Sequence, residues 1–590
     1  MNKAISQTSL ILLLILCGNS VSAGNLNTWW HETVHDEKMV VWTDRDVYIA
    51  GEHMFFTCNL IRCAEQNSQY SQRAYLAIRG LHGLVGRARV RLSDAYSGHG
   101  HIYLSDTLST GFYEVLGFTN WMRNQGEASY FRKTILIVNR FDDQPARVFA
   151  STGHDMTRST NEDDQSGPED IHHHGREARM KNDLLRFSLH PDNTSGKRQR
   201  VRLTIHPGTK FTSVQSLQIA VAPDLSMQSF PVSDYQDADV QPTTRMFARE
   251  TTHQILSAKV MASNDQKPMQ GVRVFLHVPD TIPNMLVAES CPKGLVHFQL
   301  NGYYEDKELV FGLERGDNSE MQLNILDPFD FHLPLRTPPV AFDEHLMAYI
   351  THSQEVIKIR KTFEINDVQM TLREDELMRN RPTPPLVYTS PLHVIHLDDY
   401  VPLDNLREIV RELIPVWRLR STANQTTHRL ICQTTRKPLP GPPVFFVDGV
   451  IRTDISPWMQ AGSDELREIQ ILNLNWMHGD IHMPGIISIH TRTQERFGHP
   501  DSKVRYVNET MHVPGQIRSP SYDNTETHQH GIPDLRQLLF LKTMQGVAPN
   551  SDLHLHWYTG DISGTYVVHA KGLTVNGEAF YEQIIMAIKQ

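Results

Sequence analysis

The sequence predicts a mainly β protein, with several β-sandwich domains in series and one α+β domain. The first observation is a succession of short runs of β-favouring residues, separated by turns that contain Gly, Asp or Pro. Such runs lie at 40–42, 47–49, 112–118, 134–138 and 272–278. Regularly spaced short strands of this kind are typical of β-sandwiches.

The second observation is a segment whose periodicity predicts a helix over 404–414. Four apolar residues recur at the i, i+3, i+4 and i+7 positions of one helix face: Leu406, Ile409, Val410 and Leu413. Pro415 ends the pattern. Strands follow, since the apolar run 444–447 leads into an Asp448–Gly449 turn and a second apolar run lies at 486–489. A helix followed by strands indicates an α+β domain.

Changes in composition divide the chain further. Residues 150–180 are rich in Ser, Thr, Asp, Gly, Pro and His, so we expect a linker there. The predicted order is 1–23 signal peptide, 24–149 first β-sandwich, 150–180 linker, 181–252 second β-sandwich unit, 253–345 third β-sandwich, 346–394 linker, 395–495 α+β domain, 496–532 loop and 533–590 C-terminal β-strands.

The first 23 residues have the features of a secretory signal peptide. An apolar run at 10–16 precedes the small-residue site Val21-Ser22-Ala23, which predicts cleavage after Ala23. Cys17 does not fit a lipoprotein signal, because Leu16 is bulky where that cleavage needs a small residue. No later run reaches the roughly 18 apolar residues that a membrane-spanning helix requires. We therefore expect an exported protein.

Composition indicates folded domains and disfavours two classes of partner. Apolar residues make up 39% of the chain and charged residues 21%, which suffices for packed cores. A formal net charge of −10 supplies no basic surface for nucleic acid and disfavours electrostatic binding to anionic lipid. After cleavage four cysteines remain, which are too few and too scattered for a disulfide framework, and their pairing stays open: Cys58, Cys63, Cys291 and Cys432.

The first β-sandwich carries motifs that resemble the macroglobulin-type domain of bacterial alpha-2-macroglobulin relatives. The motifs are TDRDVYIAGE at 43–52 and TGFY at 110–113, extended by TNWMRN at 119–124 and FRK at 131–133. The resemblance implies a macroglobulin-type, immunoglobulin-like sandwich. We expect Trp121 to be buried and structural rather than an exposed binding anchor.

The later domains also resemble known modules. KPMQGV at 267–272 is similar to a carboxypeptidase-regulatory-like sandwich, and residues 444–491 resemble the plug of a TonB-dependent receptor. HLDDY at 396–400 and YTGDISGTY at 558–566 resemble a family of large Gram-negative envelope proteins with this domain order. WMHGD at 476–480 stands where plugs usually have a Gly-rich stretch, which argues against receptor-like ligand gating.

A receptor plug normally sits inside a barrel of about 22 strands, each of roughly 9–11 residues. Residues 492–590 are too few to build such a barrel. We therefore expect the plug-like domain to act as a soluble module. The helix is expected to cover one face of its sheet, and a neighbouring domain or a partner the other.

Two motifs suggest catalysis or covalent trapping, and both lack the required context. His31-Glu32-Thr33-Val34-His35 matches the zinc-protease pattern H-E-x-x-H, but no helical periodicity surrounds it. Cys63-Ala64-Glu65-Gln66 is close to the thioester motif Cys-Gly-Glu-Gln of macroglobulins, but it lies within the first β-sandwich instead of a helical domain. We interpret it as an ordinary Cys followed by polar residues.

Histidines could supply metal ligands at three places: His99 and His101, His554 and His556, and His172-His173-His174. In a strand the H-x-H spacing places both rings on one face, which gives two ligands. A metal site needs a third or fourth, which the sequence does not identify. We predict no catalytic, cofactor-binding or metal-binding residues and no cofactor.

These observations favour a non-enzymatic exported scaffold or protein-binding module, either periplasmic or peripherally attached to the outer membrane. The expected partner is an envelope or outer-membrane protein, such as a TonB-dependent receptor or a secretion component. One alternative is an accessory factor of TonB-dependent uptake. Another is a macroglobulin-like protease trap, for which Arg381-Pro382-Thr383-Pro384-Pro385 is a candidate bait but is more typical of a linker.

Overall fold

The computed structural model of the chain describes residues 37–61, 70–143, 145, 184–191, 194–208, 213–227, 246–280, 283–313, 321–335, 344–365, 368–370, 386–421, 426–493, 504–508, 512, 515–517, 519–523, 533–547 and 552–589. They are mainly β, as predicted. The chain forms two compact units. Unit A contains the described residues within 33–254, 328–379 and 510–590, and unit B those within 255–327 and 380–509. No helix in the described part of the chain combines the length and apolar character needed to cross a membrane.

The first sandwich of unit A consists of two sheets. The three-stranded sheet has the order β1-β3-β6, with β1 Lys38–Thr43, β3 His53–Ile61 and β6 Ser97–Tyr103. The five-stranded sheet has the order β2-β8-β7-β4-β5, with β2 Val47–Ile49, β4 Arg73–Gly80, β5 Gly83–Arg91, β7 Gly111–Phe118 and β8 Phe131–Val138. The predicted strands at 40–42, 47–49, 112–118 and 134–138 are all present, because their β-branched and aromatic residues suit a packed sheet surface.

The second sandwich of unit A joins two segments that the sequence analysis assigned to different domains, 181–252 and 533–590. One sheet has the order β30-β11-β9 and the other β10-β32-β31-β12-β29. The strands are β9 Leu185–His190, β10 Thr194–Ser195, β11 Arg200–Pro207, β12 Val214–Pro223, β29 Phe540–Val547, β30 Leu553–Tyr558, β31 Gly564–Thr574 and β32 Ala579–Ile588. Since every residue of β12 is buried, it needs neighbours on both edges, and β29 and β31 supply them.

A helix lies in the range expected to be a linker, 346–394. Helix α1, Glu344–Thr362, packs its buried face against β2 and β8. The apolar side chains of this contact are Leu346, Ile350, Ile357, Val47, Ile49, Leu136 and Val138. Polar Ser353 and Gln354 are also buried on α1, and they interrupt the apolar periodicity by which the sequence could have indicated the helix.

Unit B begins with a third sandwich. Its sheets have the orders β16-β13-β18 and β15-β14-β17-β27. The strands are β13 Gln254–Ala262, β14 Arg273–His277, β15 Leu286–Glu289, β16 Leu295–Leu300, β17 Lys307–Leu313, β18 Met321–Ile325 and β27 Val504–Asn508. Strand β27 lies in the range 496–532 that was expected to be a loop. Strand β28, Gly515–Ile517, lies in the same range. It belongs to unit A, where it pairs with β19, Val368–Met370.

The α+β domain of unit B contains helix α2, Leu406–Leu413, as predicted over 404–414. Asn405 caps the helix by accepting a hydrogen bond from the Glu408 N–H at 3.0 Å. The sheet has the order β20-β25-β26-β23-β24, and β21 pairs with β22. The strands are β20 His393–His396, β21 Trp417–Ser421, β22 Thr426–Leu430, β23 Val444–Val447, β24 Val450–Arg452, β25 Leu466–His478 and β26 Ile481–Thr491.

The predicted Asp448–Gly449 turn joins β23 to β24. Both residues have a positive φ, 47° and 79°, as a two-residue hairpin of this type requires. The Asp448 carboxylate accepts hydrogen bonds from the N–H and the hydroxyl of Thr491, at 2.9 and 2.7 Å. These bonds tie the turn to the end of the neighbouring strand β26.

Each face of this sheet is covered within unit B. Helix α2 packs Leu406, Ile409 and Val410 into one core with Phe445 and Ile487, as predicted. The opposite face packs against the third sandwich, and the side chains of this second core are Phe275, Met285, Val387, Tyr388, Phe446, Leu472, Met483 and Ile486. Of the two covers expected for that face, a neighbouring domain or a partner, the structure therefore shows the neighbouring domain.

Candidate interaction site

Strand β20 forms one edge of the α+β sheet. It pairs with β25 in antiparallel register, from His393 opposite Ile471 to His396 opposite Glu468. In the part of the chain that the structure describes, no strand pairs with the other edge of β20. An unpaired edge presents backbone N–H and C=O groups that an additional strand can bind.

The side chains of this edge alternate between the core and solvent. Ile395 is buried in the core under α2, whereas Leu392 and Val394 are 43% and 45% exposed. The imidazole of the exposed His396 lies 3.0 Å from the Glu468 carboxylate on β25, which ties the end of β20 to its neighbour. The open edge therefore carries apolar side chains at alternate positions.

The residues that follow extend the exposed apolar surface and add negative charge. Tyr400 is 49% exposed and Val401 is 80% exposed. Exposed carboxylates surround them: Asp398, Asp399 and Asp404. The hydrogen bond from the Arg492 guanidinium lowers the pKa of Asp398, so this carboxylate stays ionised. We name this region, from Leu392 to Asp404, the 392–404 surface.

Backbone contacts hold the 392–404 surface in place. The Leu403 N–H donates to the Ser463 hydroxyl at 3.1 Å, and the Ser463 N–H donates to the Leu403 carbonyl at 2.9 Å. Asn405 follows directly as the cap of α2. A surface anchored at both ends loses little conformational entropy when a partner binds, which favours affinity.

The local sequence indicates this surface only in part. Leu392 and Val394 alternate with His393, as in a half-buried strand, and HLDDY at 396–400 carries only a family resemblance. That β20 is an edge strand depends on the pairing order of the sheet, which no local pattern encodes.

Three of the predicted motifs lie outside the described residues. These are the H-E-x-x-H match at 31–35, the thioester-like Cys63-Ala64-Glu65-Gln66 and the histidine triplet at 172–174. The candidate bait at 381–385 also lies outside them. Their roles stay predictions.

His99 and His101 lie on β6 but have different surroundings. His99 is exposed, whereas His101 is buried beside His53 and His512, with ring centroids 5.3 and 4.6 Å away. The His101 backbone N–H donates to Nε2 of His512 at 2.9 Å. Burial lowers the pKa of His101, and burial together with His101 and His99 lowers the pKa of His512 to about 4. The imidazoles of His101 and His512 are therefore neutral at pH 7.

His554 and His556 lie on the exposed face of β30, between the buried Leu555 and Trp557. Nδ1 of His554 is 3.2 Å from the Thr204 hydroxyl. Among the described residues, no three His, Cys, Asp or Glu side chains converge in a way that could hold a metal ion.

The described cysteines are free thiols in three different environments. Cys58 is buried in the first sandwich, and burial raises the pKa of its thiol, so it is unreactive. Cys291 is half-buried. Hydrogen bonds from the Thr434 and Thr435 side chains and backbone lower the pKa of Cys432 to about 6.

Residues 119–122 of the TNWMRN segment are buried, as expected for Trp121, and Arg123 and Asn124 are half-buried. The Arg249 guanidinium lies 4.4 Å from the centre of the Trp121 ring. The Asn120 amide donates to the Ala248 carbonyl at 3.0 Å, and Asn124 accepts from the Phe247 N–H at 2.9 Å. The segment therefore binds residues 247–249 to the first sandwich.

Comparison with known proteins gave structural similarities alone. No family model matches the sequence, and no curated protein is similar to it. Among solved structures the chain is similar to Salmonella alpha-2-macroglobulin reacted with methylamine, at 8% identity and a TM-score of 0.22, covering 94% of this chain and 39% of that one. The chain is also similar to the native conformation of E. coli alpha-2-macroglobulin, at 10% identity and a TM-score of 0.22. This similarity covers 94% of this chain and 40% of that one.

The D0–D1 domain of intimin is also similar, at 9% identity and a TM-score of 0.13, covering 48% of this chain and 93% of that one. The chain spans about two fifths of the length of the macroglobulin structures that it matches. No family membership follows from similarity at this level.

Proposed function

We propose that this protein is a non-enzymatic, exported envelope scaffold that binds a partner protein through the 392–404 surface. The partner adds an extended strand to the open edge of β20. The observation that carries the proposal is the combination of an unpaired edge with the exposed side chains of Leu392 and Val394. Exposed apolar edges of this kind are avoided in proteins unless a partner covers them.

The chemistry of the surface specifies the partner. A strand added to β20 gains main-chain hydrogen bonds, and its alternate apolar side chains pack beside Leu392 and Val394. The exposed carboxylates of Asp399 and Asp404 favour a partner segment that also carries basic residues, since opposite charges steer association. The proposed partner segment is therefore extended, apolar at alternate positions and basic.

The features of residues 1–23 support placement in the envelope, because they are those of an exported protein. The resemblance of residues 444–491 to a receptor plug favours an outer-membrane partner. A receptor or an energising component would assign the protein to TonB-dependent uptake. A secretion component would assign it to a surface or export complex.

A photo-crosslinking amino acid in place of Val394, in the full-length protein within its native envelope, tests the proposal. We expect one major adduct, mapped to an extended apolar and basic segment of the partner. The same substitution at Ile359, which is 41% exposed on helix α1 and not on a sheet edge, serves as the control and should not give this adduct.

A positive charge introduced on the edge supplies the matched variants. We expect Val394→Lys to reduce the amount of co-purified partner by about tenfold, because the new ammonium repels a basic strand and interrupts the apolar row. Ile359→Lys, at an exposed position of helix α1, should leave it unchanged. Equal co-purification by wild type and Val394→Lys, or an equal loss in both variants, would contradict the proposal.

A further inference from the structure

Unit A contains a cavity of about 550 Å³ beside the C-terminal end of α1. Cavities that hold small organic molecules usually have volumes of about 300–1,000 Å³. Five apolar residues line the cavity and are called here its apolar wall: Phe55, Ile357, Ile365, Ile517 and Leu538. Phe55, Ile517 and Leu538 pack together in one cluster, and the other lining residues are Gly51 and polar or charged residues.

The floor of the cavity is a buried ion network in which Arg45 pairs with the carboxylates of both Asp44 and Glu52. The Arg45 guanidinium donates to the carboxylates of Glu52 and Asp44 at 3.0 and 3.1 Å. The other Glu52 oxygen accepts from the Ile49 N–H at 2.7 Å. Because both carboxylate oxygens of Glu52 have partners, the floor is rigid and offers little to accept a hydrogen bond from a ligand.

Arg45 also fixes the orientation of Gln537. Its guanidinium donates to Oε1 of Gln537 at 3.1 Å. A guanidinium has no acceptor, so the oxygen of the amide must face Arg45 and the NH₂ group is the other end. Gln537 lines the cavity and therefore presents a donor to it.

The rim presents further donors. The Lys361 ammonium donates to the Tyr103 hydroxyl at 3.0 Å and lies 3.6 Å from the Asp106 carboxylate. Since an ammonium can only donate, the hydroxyl proton of Tyr103 is available to a ligand. Arg360 lies beside Lys361 in the lining. Glu364 contributes a carboxylate at the exposed end of this rim.

His53 completes the polar side. Burial, followed by the influence of His101, lowers its pKa to about 4, so the ring is neutral at pH 7 and carries one N–H donor. The polar lining thus includes donors on Lys361, Tyr103, Gln537 and His53 beside the carboxylates of Glu52 and Glu364.

We propose that the cavity binds a small organic anion with an apolar body, of the class of monocarboxylates. The carboxylate accepts hydrogen bonds from Lys361, Tyr103 and Gln537, and the apolar body packs against the side chains of Phe55, Ile357 and Leu538. This site lies in unit A and is independent of the 392–404 surface, so it goes beyond the proposed function.

The test is calorimetric binding to the full-length protein with three probes of equal chain length: octanoate, octylamine and octanol. We expect octanoate to bind to one site and octylamine to bind at least about tenfold more weakly, because an ammonium meets a donor-rich wall. Octanol reports what the apolar wall contributes by itself, and we expect its affinity to be intermediate.

Two variants on the same helix separate specific recognition from general charge. Lys361→Gln removes the rim ammonium and is expected to weaken octanoate binding by about tenfold while leaving octanol binding unchanged. Lys358→Gln removes an exposed ammonium one turn away that does not line the cavity, and we expect it to leave octanoate binding unchanged. Thermal melting of each variant confirms that it is folded.

Three outcomes overturn the inference: no octanoate binding, octylamine binding as tight as that of octanoate, or an equal effect of Lys361→Gln and Lys358→Gln. The first means that the cavity takes no such ligand. The second means that apolar contact alone drives binding. The third means that the net charge of the helix, instead of the rim, attracts the anion.

Discussion

Phe446 of the α+β sheet packs against His277 of the third sandwich, with ring centroids 6.4 Å apart and an interplanar angle of 73°. Both side chains are fully buried. An edge-to-face arrangement of this kind is favourable for aromatic rings beyond the area that it buries. The contact belongs to the core that covers the sheet face opposite α2 within unit B, which agrees with placing the proposed interaction site at the edge of the sheet.

We expect Phe446→Ala to lower the free energy of unfolding by about 3–5 kcal/mol, because it removes a ring from a closed core and leaves a cavity. Chemical denaturation of the full-length protein measures the change. Val507→Ala, at an exposed position of the same unit, is the control and should change it by less than about 0.5 kcal/mol. A similar small effect of both substitutions would contradict the packing described for this face.

The buried Arg45 network is expected to be sensitive to loss of its cation. Arg45→Ala leaves the carboxylates of Asp44 and Glu52 buried without their counter-charge, which typically costs roughly 3–5 kcal/mol. Chemical denaturation of the full-length protein gives the value for both variants. Arg411→Ala breaks the exposed ion pair with Glu412 and should leave the unfolding midpoint unchanged. A midpoint that is equally unaffected in the Arg45 variant would disprove a structural role for the network.

Gly449 and Gly479 give a matched pair of positive-φ positions in unit B. An added Cβ at Gly449 would lie 2.7 Å from the Asp280 carbonyl oxygen, whereas nothing lies within 4 Å of one at Gly479. Both Ala variants incur backbone strain of about 1 kcal/mol. We expect Gly449→Ala to cost about 1–3 kcal/mol more than Gly479→Ala, because its Cβ also meets backbone. Equal losses of stability would contradict the close approach of the turn to Asp280.

The free energy of unfolding is expected to decrease as the pH is lowered below about 6.5, because buried histidines resist protonation in the folded state. Burial lowers the pKa of His277 to about 4, and that of His297 likewise to about 4. Between these values and the pKa of about 6.5 in the unfolded chain, the unfolded state binds a proton that the folded state does not. Each such group therefore adds a slope of up to about 1.4 kcal/mol per pH unit, with the stabilising contribution present above pH 6.5 and lost on acidification.

Denaturation between pH 7 and 4.5 measures this slope. His277→Gln should flatten it, whatever the variant does to stability at pH 7, since the titrating group is gone. His352→Gln, at an exposed position on α1, is the control and should retain the wild-type slope. An unchanged slope in the His277 variant would show that other groups control the acid response.

Much of the local structure followed from residue patterns. The β-favouring runs at 47–49 and 112–118 became strands, and the spacing from Leu406 to Leu413 became α2, because the apolar period matches the geometry of each element. The turn at Asp448–Gly449 formed because these residue types tolerate positive φ. Helix α1 was missed, since Ser353 and Gln354 are buried on its packed face.

The sequence by itself determined the strands of the first sandwich at 47–49 and 112–118 and helix α2, together with the separation of mainly β domains from the α+β domain. The tertiary structure alone decided that β12 lies between β29 and β31, that Phe446 meets the third sandwich and that β20 is an edge. The physical reason is that local preferences act over a few residues, whereas strand pairing and the cover of a sheet face depend on which distant segment buries the most apolar surface.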